Sequence, residues 1–382
     1  MDFELDPDAA ALVEAVMPVL DAEATTALIR AAWPTGTGAA GLEQVRKVWA
    51  TLADVGLAGA LVPESAGGLG LTISDVVPLL ERVGQAGLPV PAVETVTFAA
   101  PLLAAAGHPA LPDVVAGRAL VAVATRTPAG QIVVPHGQHA DLVIVPVPAW
   151  PGRPATDAFD ALATGAALLR IHAAGELELA PVGTVDGARG LARLTSFPAA
   201  GAVLTNDPDA ARLAWWRAAV GTSAVLVGLA ARLLAITVDH VRTRRQFGVP
   251  VGSFQAVKHA CASAHLATEF ARPAVLAAGW RLAYSPDDDP AAARDAASVA
   301  KVLAADAARL AARVAIQCHG AIAYTTEYDL HLFAKRAWAL IPAFGDPQYH
   351  RARLAERLGL RPAPSDSVSA RLIPPPGKET SR

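Results

Sequence analysis

Arg244-Arg245-Gln246-Phe247-Gly248 gathers two guanidinium forks, an amide, an aromatic face and a glycine into one short stretch, and Phe254-Gln255 follows closely. Arginine grips phosphate oxygens as a planar fork. Phenylalanine offers a flat apolar face, and glycine lets a ligand or another backbone approach. Such a set can hold a phosphorylated, ring-bearing ligand. It can equally be the basic end of a helix, favoured by the helix dipole, running into a loop. A second stretch, Gln317-Cys318-His319-Gly320-Ala321-Ile322-Ala323-Tyr324-Thr325-Thr326-Glu327, closes another helical segment. No second histidine or cysteine stands at metal-ligand spacing from His319 or Cys318, so both read as packed residues at a helix end. Gly68-x-Gly70, inside Pro63 to Leu71, lacks the third glycine and the preceding strand of a dinucleotide fingerprint. It reads as a structural turn.

The elements that position these residues follow from periodicity and caps. Asp6-Pro7 is an N-cap with proline at the first helical position, and Leu12, Val13, Val16 and Leu20 recur at helical spacing. Further helices are predicted from about Leu42 to Val55, from Thr72-Ile73-Ser74-Asp75 to Gly84, and from Val90 to Ala106. Near Ala119 the pattern changes to short β-prone runs: Ala119 to Ala124, Ile132 to Val134, Leu142 to Val147 and Leu177 to Leu179, with another strand expected after Arg189. Trp150 to Pro154 is expected to be a loop. Asn206-Asp207-Pro208 then opens the longest helix; about 35 residues at 1.5 Å each span roughly 50 Å. A second long helix covers about Phe254 to Leu282, with a kink expected at Pro273. Asp289-Pro290 caps a third, Thr326 and Asp329 resemble a capping box for a fourth, and Asp346-Pro347 opens a short last one. The order is helices, a small β unit, then a four-helix bundle.

With 382 residues, two or three packed units are expected, and 53% hydrophobic against 18% charged residues makes the chain globular rather than disordered. A net charge of −3 gives no footprint for nucleic acid. The longest uncharged apolar run, Ala218 to Ala231, falls short of the roughly 20 residues that cross a bilayer, so no membrane partner is expected. No secretory leader is visible, and the two cysteines, Cys261 and Cys318, fit a reducing cytoplasm. After Leu360 the chain turns polar and proline-rich, as a mobile tail does.

Arg244-x-x-Phe247-Gly248 with Phe254-Gln255, followed one helix later by Gln317-x-x-Gly320, resembles the paired signatures of the acyl-CoA dehydrogenase family. The resemblance extends from about Leu5 to about Leu360 and is weakest in the middle. It implies an α+β fold with an N-terminal α-helical domain (residues 1–117), a reduced middle β domain (118–205) and a C-terminal four-helix bundle (206–360), before a tail (361–382). It also implies an FAD-dependent oxidoreductase of acyl-CoA thioesters. In that chemistry a carboxylate takes the α-proton, and the cofactor accepts the β-hydride. FAD in this family lies across a subunit interface. Carried over, Arg244 contacts the FAD diphosphate, Gln246 and Phe247 line that pocket, and Gln255 reaches the same cofactor. Gln317, with the backbone at Gly320 and Ala321, wraps the adenylate end.

The departures are equally specific. Two family glycines are Ala321 and Ala323 here. The usual base is a glutamate just before a Gly-Thr/Ser step; the matching step is Gly345-Asp346, and the residue before it is Phe344. The minority position for that glutamate, 29 residues before the signature phenylalanine, is Ala218, after Trp215, Trp216 and Arg217. Asp346 is explained by its proline as an N-cap. The flavin-covering stretch is unrecognisable across Ala124 to Gly130 and His136 to Asp141. No catalytic residue and no metal ligand is therefore assigned to this chain. The resemblance implies the base-less subunit of a two-subunit acyl-CoA dehydrogenase, a heterotetramer (α2β2) of the kind found in actinobacteria. The association with steroid side chains comes from that resemblance. The expected partners are an acyl-CoA, a second acyl-CoA dehydrogenase-like subunit and an electron-transfer flavoprotein-type acceptor. Two other readings stay open. One is a homomeric enzyme with an unusual base, such as Asp346 or Glu327. The other is a flavin-free scaffold or acyl-CoA-binding protein of the same fold.

Overall fold

The computed structural model describes residues 5–34, 36, 39–127, 130–148, 162–164, 167–196, 201–284 and 289–360. The tail after Leu360 and the loop expected over 150–154 lie outside the described residues.

Asp6 accepts the Asp8 amide at 3.0 Å, Pro7 takes the first turn, and α1 (Pro7–Glu23) buries Leu12, Val16 and Leu20. α2 (Thr26–Ala31), α3 (Ala39–Asp54) and α4 (Ile73–Ala86) follow. Asp75 closes the start of α4 by accepting the Thr72 amide at 2.9 Å and the Thr72 hydroxyl at 2.7 Å. The helix expected over Val90 to Ala106 forms as one run from Ala92 to Ala105, with a π-helical stretch, Glu94–Ala99, leading into α5 (Ala100–Ala105). Pro101 has no amide to close an α-helical ring onto Thr97, and the Thr97 hydroxyl bonds back to the Val93 carbonyl at 2.7 Å. α6 (Leu111–Val115) ends the helical unit. The Pro63 to Leu71 stretch is a turn around a short 3-10 segment, Glu64–Ala66.

The middle unit stacks two four-stranded sheets. One has the order β1 (Val121–Val123), β4 (Leu142–Pro148), β5 (Ala167–Ala173), β8 (Ala202–Thr205), with β1–β4 parallel and the rest antiparallel. The other has the order β2 (Thr125–Arg126), β3 (Ile132–Val134), β7 (Ala192–Ser196), β6 (Glu178–Pro181), all antiparallel. Strand β4 is apolar on both faces for a reason. Ile144 joins the main core with the helices, while Val143 and Val145 join a second core between the sheets. β5 escapes pattern reading because Ala-Leu-Leu-Arg-Ile-His-Ala holds one β-branched residue; its pairing with β4 overrides propensity.

The bundle consists of α7 (Pro208–Thr243), α8 (Gln255–Tyr284), α9 (Pro290–His319) and α10 (Leu330–Leu340), with α11 (Pro347–Arg357) beside it. α7 is longer than its uncharged run, and by length and composition it could cross a bilayer. Yet 72% of its most apolar window is buried inside the protein, where it serves as the core helix. Glycines let α4 cross it backbone to backbone. A Cβ on Gly84 would stand 2.3 Å from the Val225 carbonyl oxygen, and one on Gly228 only 2.0 Å from that of Glu81. α8 continues on both sides of Pro273. The capping box expected at Thr326 does not form. Asp329 pairs with Arg30 at 2.6 Å instead, and Arg30 also holds the Thr326 carbonyl at 2.5 Å. Asp346 does cap α11, accepting the Tyr349 amide at 2.7 Å.

Candidate functional site

The residues singled out by the sequence collect at one end of the bundle. Arg244 ends α7, its amide donating to the His240 carbonyl at 2.9 Å. β9 (Arg245–Gln246) and β10 (Val249–Pro250) form a two-residue hairpin, and Phe247 (φ 54) and Gly248 (φ 82) are its turn. A phenylalanine held at positive φ costs about 1 kcal/mol, and this one is 92% exposed. Its ring meets that of Phe254 edge to face, with centroids 6.2 Å apart. Gln255 opens α8, exposed. Gln317 lies in the last turn of α9, exposed in a groove with Arg313 and Ser263. Gly320 (φ 65) and Ala321 begin a 3-10 turn, Gly320–Tyr324, and both face solvent. Ala323 is buried, so its methyl packs inward.

One contact ties the two stretches together. His240 and His319 stack with ring centroids 4.1 Å apart. His319 donates through Nδ1 to the Ala315 carbonyl at 2.7 Å and accepts from the Tyr328 hydroxyl at 3.3 Å. Burial lowers its pKa below the ordinary histidine value. His319 is a packed, neutral residue, as its lack of ligand-spaced partners suggested. Among the described residues, the side chains of Arg244, Gln255 and Gln317 have no hydrogen-bond partner within the chain; Gln246 bonds only to the neighbouring Arg245 carbonyl, at 2.8 Å. An exposed fork, three amides and a bare aromatic ring suit the phosphates and ring of a dinucleotide. They are open on the outward side, so they can line one wall of such a site and cannot enclose it.

The pocket at the base position is built differently. It holds about 350 Å³ where the three units meet, lined by Glu94, Val123, Arg126, Leu162, Arg189, Trp215, Phe344, Asp346 and Tyr349. Phe344 (φ 51) turns its ring toward Phe98, with centroids 6.2 Å apart. Ala218 is fully buried in the core of α7. Asp346 reaches the pocket but spends its carboxylate as the cap of α11, and Glu327 is absent from the lining. No group here is placed as a free base.

Sequence reasoning missed the groups that hold this pocket. Lys301, fully buried on α9, donates to the carbonyls of Ile341 at 2.6 Å and Gly345 at 2.8 Å. His350 takes the Phe344 carbonyl at 3.0 Å and Ser298 at 3.1 Å. Burial pushes the Lys301 ammonium down to about 7, against the pull of Asp346. Burial, then the charge of Lys301, lowers His350 to about 3. The available signal was a lysine on the alanine stripe of α9, at helical spacing from Ala297, Ala304 and Ala308. Behind the pocket, Arg189 pairs with Glu94 at 3.2 Å and bonds the Ala339 carbonyl at 3.1 Å. Arg336 pairs with Asp186 and bonds the Leu88 carbonyl at 3.0 Å. Buried His136 lies beside both arginines; desolvation first, then their charges, hold it well below the ordinary histidine pKa. This knot ties together the helical unit, the β unit and the bundle.

Comparison with known proteins gives a consistent picture. The acyl-CoA dehydrogenase N-terminal domain description matches residues 9–113 and the C-terminal domain description residues 210–359. The acyl-CoA dehydrogenase IpdE2 of Mycobacterium tuberculosis is 32% identical over 332 residues, covering 85% of this chain and 89% of that protein. Among solved structures, the ChsE4-ChsE5 complex from Mycobacterium tuberculosis aligns over 95% of this chain and 100% of its own, with TM-score 0.74 and 23% identity. A Tcur3481-Tcur3483 steroid ACAD aligns over 92% and 97%, with TM-score 0.74 and 24% identity. At those identities the two structures speak for the fold alone.

Proposed function

The chain belongs to the acyl-CoA dehydrogenase family, and from that premise we propose that it is the base-less subunit of a two-subunit, FAD-dependent acyl-CoA dehydrogenase. The observation that carries this reading is the asymmetry of its two regions. Among the described residues the Arg244, Gln255 and Gln317 side chains stand exposed with no hydrogen-bond partner, while the base position holds Phe344 packed toward Phe98.

In this reading FAD, when bound, supplies the hydride acceptor. The Arg244 guanidinium neutralises and orients its diphosphate. Gln246, Gln255 and Gln317 supply amide hydrogen bonds, and Phe247 covers an apolar edge. Gly320 and Ala321 present backbone at the adenylate end. A second acyl-CoA dehydrogenase-like subunit closes the outward side and supplies the carboxylate that takes the α-proton of the acyl-CoA. The reading is supported by the exposed apolar side chains within the two motif stretches, Phe247 at 92% and Tyr324 at 80% exposed; exposed apolar surface of this kind marks an interface. A steroid-derived acyl group and an electron-transfer flavoprotein-type acceptor complete the proposal. The first is supported by the fold shared with a protein described as a steroid ACAD. Its domain limits are those of the sequence reading, 1–117, 118–205 and 206–360.

The test is co-expression with a base-bearing acyl-CoA dehydrogenase-like subunit, followed by affinity capture on this chain and native mass measurement. The expected result is a heterotetramer with two copies of each. A homotetramer of this chain with turnover of its own would sink the reading.

A further inference from the structure

Arg30 lies in the last turn of α2, in the N-terminal unit, yet its guanidinium is spent on a loop of the bundle. Nε pairs with the Asp329 carboxylate at 2.6 Å, Nη1 donates to the Thr326 carbonyl at 2.5 Å, and Nη2 donates to that of Glu327 at 3.0 Å. One planar fork thus holds the segment between the Gly320–Tyr324 turn and α10 at three points. His331 on α10 backs this clamp. Its Nε2 lies 3.3 Å from the Thr326 carbonyl, and its ring meets that of Trp33, just after α2, edge to face with centroids 5.2 Å apart.

The clamped segment carries Tyr328, and from there an unbroken run of contacts reaches the cofactor wall. The Tyr328 hydroxyl donates to His319 Nε2 at 3.3 Å. Burial, then the charges of Asp329 and Asp239, raise the Tyr328 pKa, so the hydroxyl keeps the proton it donates. His319 is held on its other side by the Ala315 carbonyl at 2.7 Å and stacks on His240 with centroids 4.1 Å apart. The His240 carbonyl receives the Arg244 amide at 2.9 Å, and His319 directly precedes Gly320. We propose that Arg30 is a positioning residue, through which the N-terminal unit sets the spacing of Arg244 from Gln317 and the Gly320 turn by way of Tyr328 and His319. The wall side chains Arg244, Gln255 and Gln317 are exposed, so their order has to come from the elements behind them. A wall already held in place loses less conformational freedom when a ligand arrives, and binds it more tightly. This inference rests on the proposed function for what the wall binds, but the contacts that carry it do not.

Two measurements keep the two apart. In the isolated full chain, the His319 imidazole is followed by NMR titration, with its signal assigned from His319→Gln. Loss of a donor to Nε2 favours the protonated ring. Tyr328→Phe is therefore expected to raise the His319 titration midpoint, and Arg30→Met, which removes no group that touches His319, is expected to raise it as well. An unchanged midpoint in Arg30→Met would overturn the run of contacts. In the co-expressed complex, flavin affinity is expected to fall by about tenfold in Arg30→Met, a typical coupling between separate sites. Tyr328→Phe is expected to cost about fivefold, the worth of one neutral hydrogen bond. The double variant is expected to lose no more than Arg30→Met alone, because both changes cut one path. Arg46→Met removes a different tie of the N-terminal unit, the pair with Asp141 at 3.0 Å in the β unit, and is expected to leave flavin affinity unchanged. An equal loss in Arg46→Met, or none in Arg30→Met, would overturn the positioning role. A wild-type complex without flavin would overturn the proposed function, while the His319 titration would still decide whether Arg30 acts through Tyr328.

Discussion

At the outer end of the bundle, Arg244, Gln255 and Gln317 are exposed with no hydrogen-bond partner among the described residues, beside a phenylalanine 92% exposed. At the Phe344 pocket the polar groups are committed: Lys301 and His350 hold three carbonyls of one loop, and Asp346 caps a helix. The first region conserves donors for something outside the chain. The second spends its donors on the chain itself. Unpaired exposed arginine costs little in water, so a cofactor wall can wait for its partner there. A buried charge must be satisfied at folding, so the pocket is finished as structure.

That contrast can be broken first at the interdomain knot. Asp186→Ala leaves Arg336 buried without its carboxylate, and the expected loss is about 3–5 kcal/mol of stability, measured as a drop in the urea midpoint. A loss under about 1 kcal/mol would mean that the knot is solvated in solution. Arg244→Ala should do the reverse. Flavin affinity of the assembled complex falls by about tenfold to a hundredfold, the worth of a charge-assisted contact. Stability stays within about 0.5 kcal/mol, because the site is exposed. Unchanged flavin content would remove Arg244 from the cofactor wall.

Lys301 gives the most diagnostic effect, because it is read as a slope with pH. The unfolded chain keeps this proton up to the ordinary value of 10.5, whereas the folded chain releases it at about 7. Between those values unfolding takes up a proton, so stability rises with pH, by at most about 1.4 kcal/mol per pH unit. Comparing wild type with Lys301→Met by urea unfolding from pH 6 to pH 10 should give a difference flat below about 7 that grows above it. A flat difference throughout would show that Lys301 stays charged in the folded protein.

Much of this was legible in the sequence because it is local. Caps at Asp6, Asp207, Asp289 and Asp346, and the helical stripe of α7, are written within a few residues. So was the motif end, since Arg244, Phe247 and Gly248 sit in one turn. What escaped was non-local. Asp329 was read as a cap, but Arg30, nearly 300 positions away, claims it. β5 is a strand because β4 lies beside it. Lys301 and Arg336 look like surface charges until the fold places carbonyls and Asp186 against them. The π-helical turn at Glu94 depends on Pro101, a local signal that was available.

The most direct measurement is the visible flavin absorbance of this chain purified alone and again as a complex with its co-expressed acyl-CoA dehydrogenase-like partner. A colourless chain alone and a yellow complex are predicted, because the exposed wall needs its other half. Stoichiometric flavin on the isolated chain would contradict the account and return the search for a base to Asp346 in the Phe344 pocket.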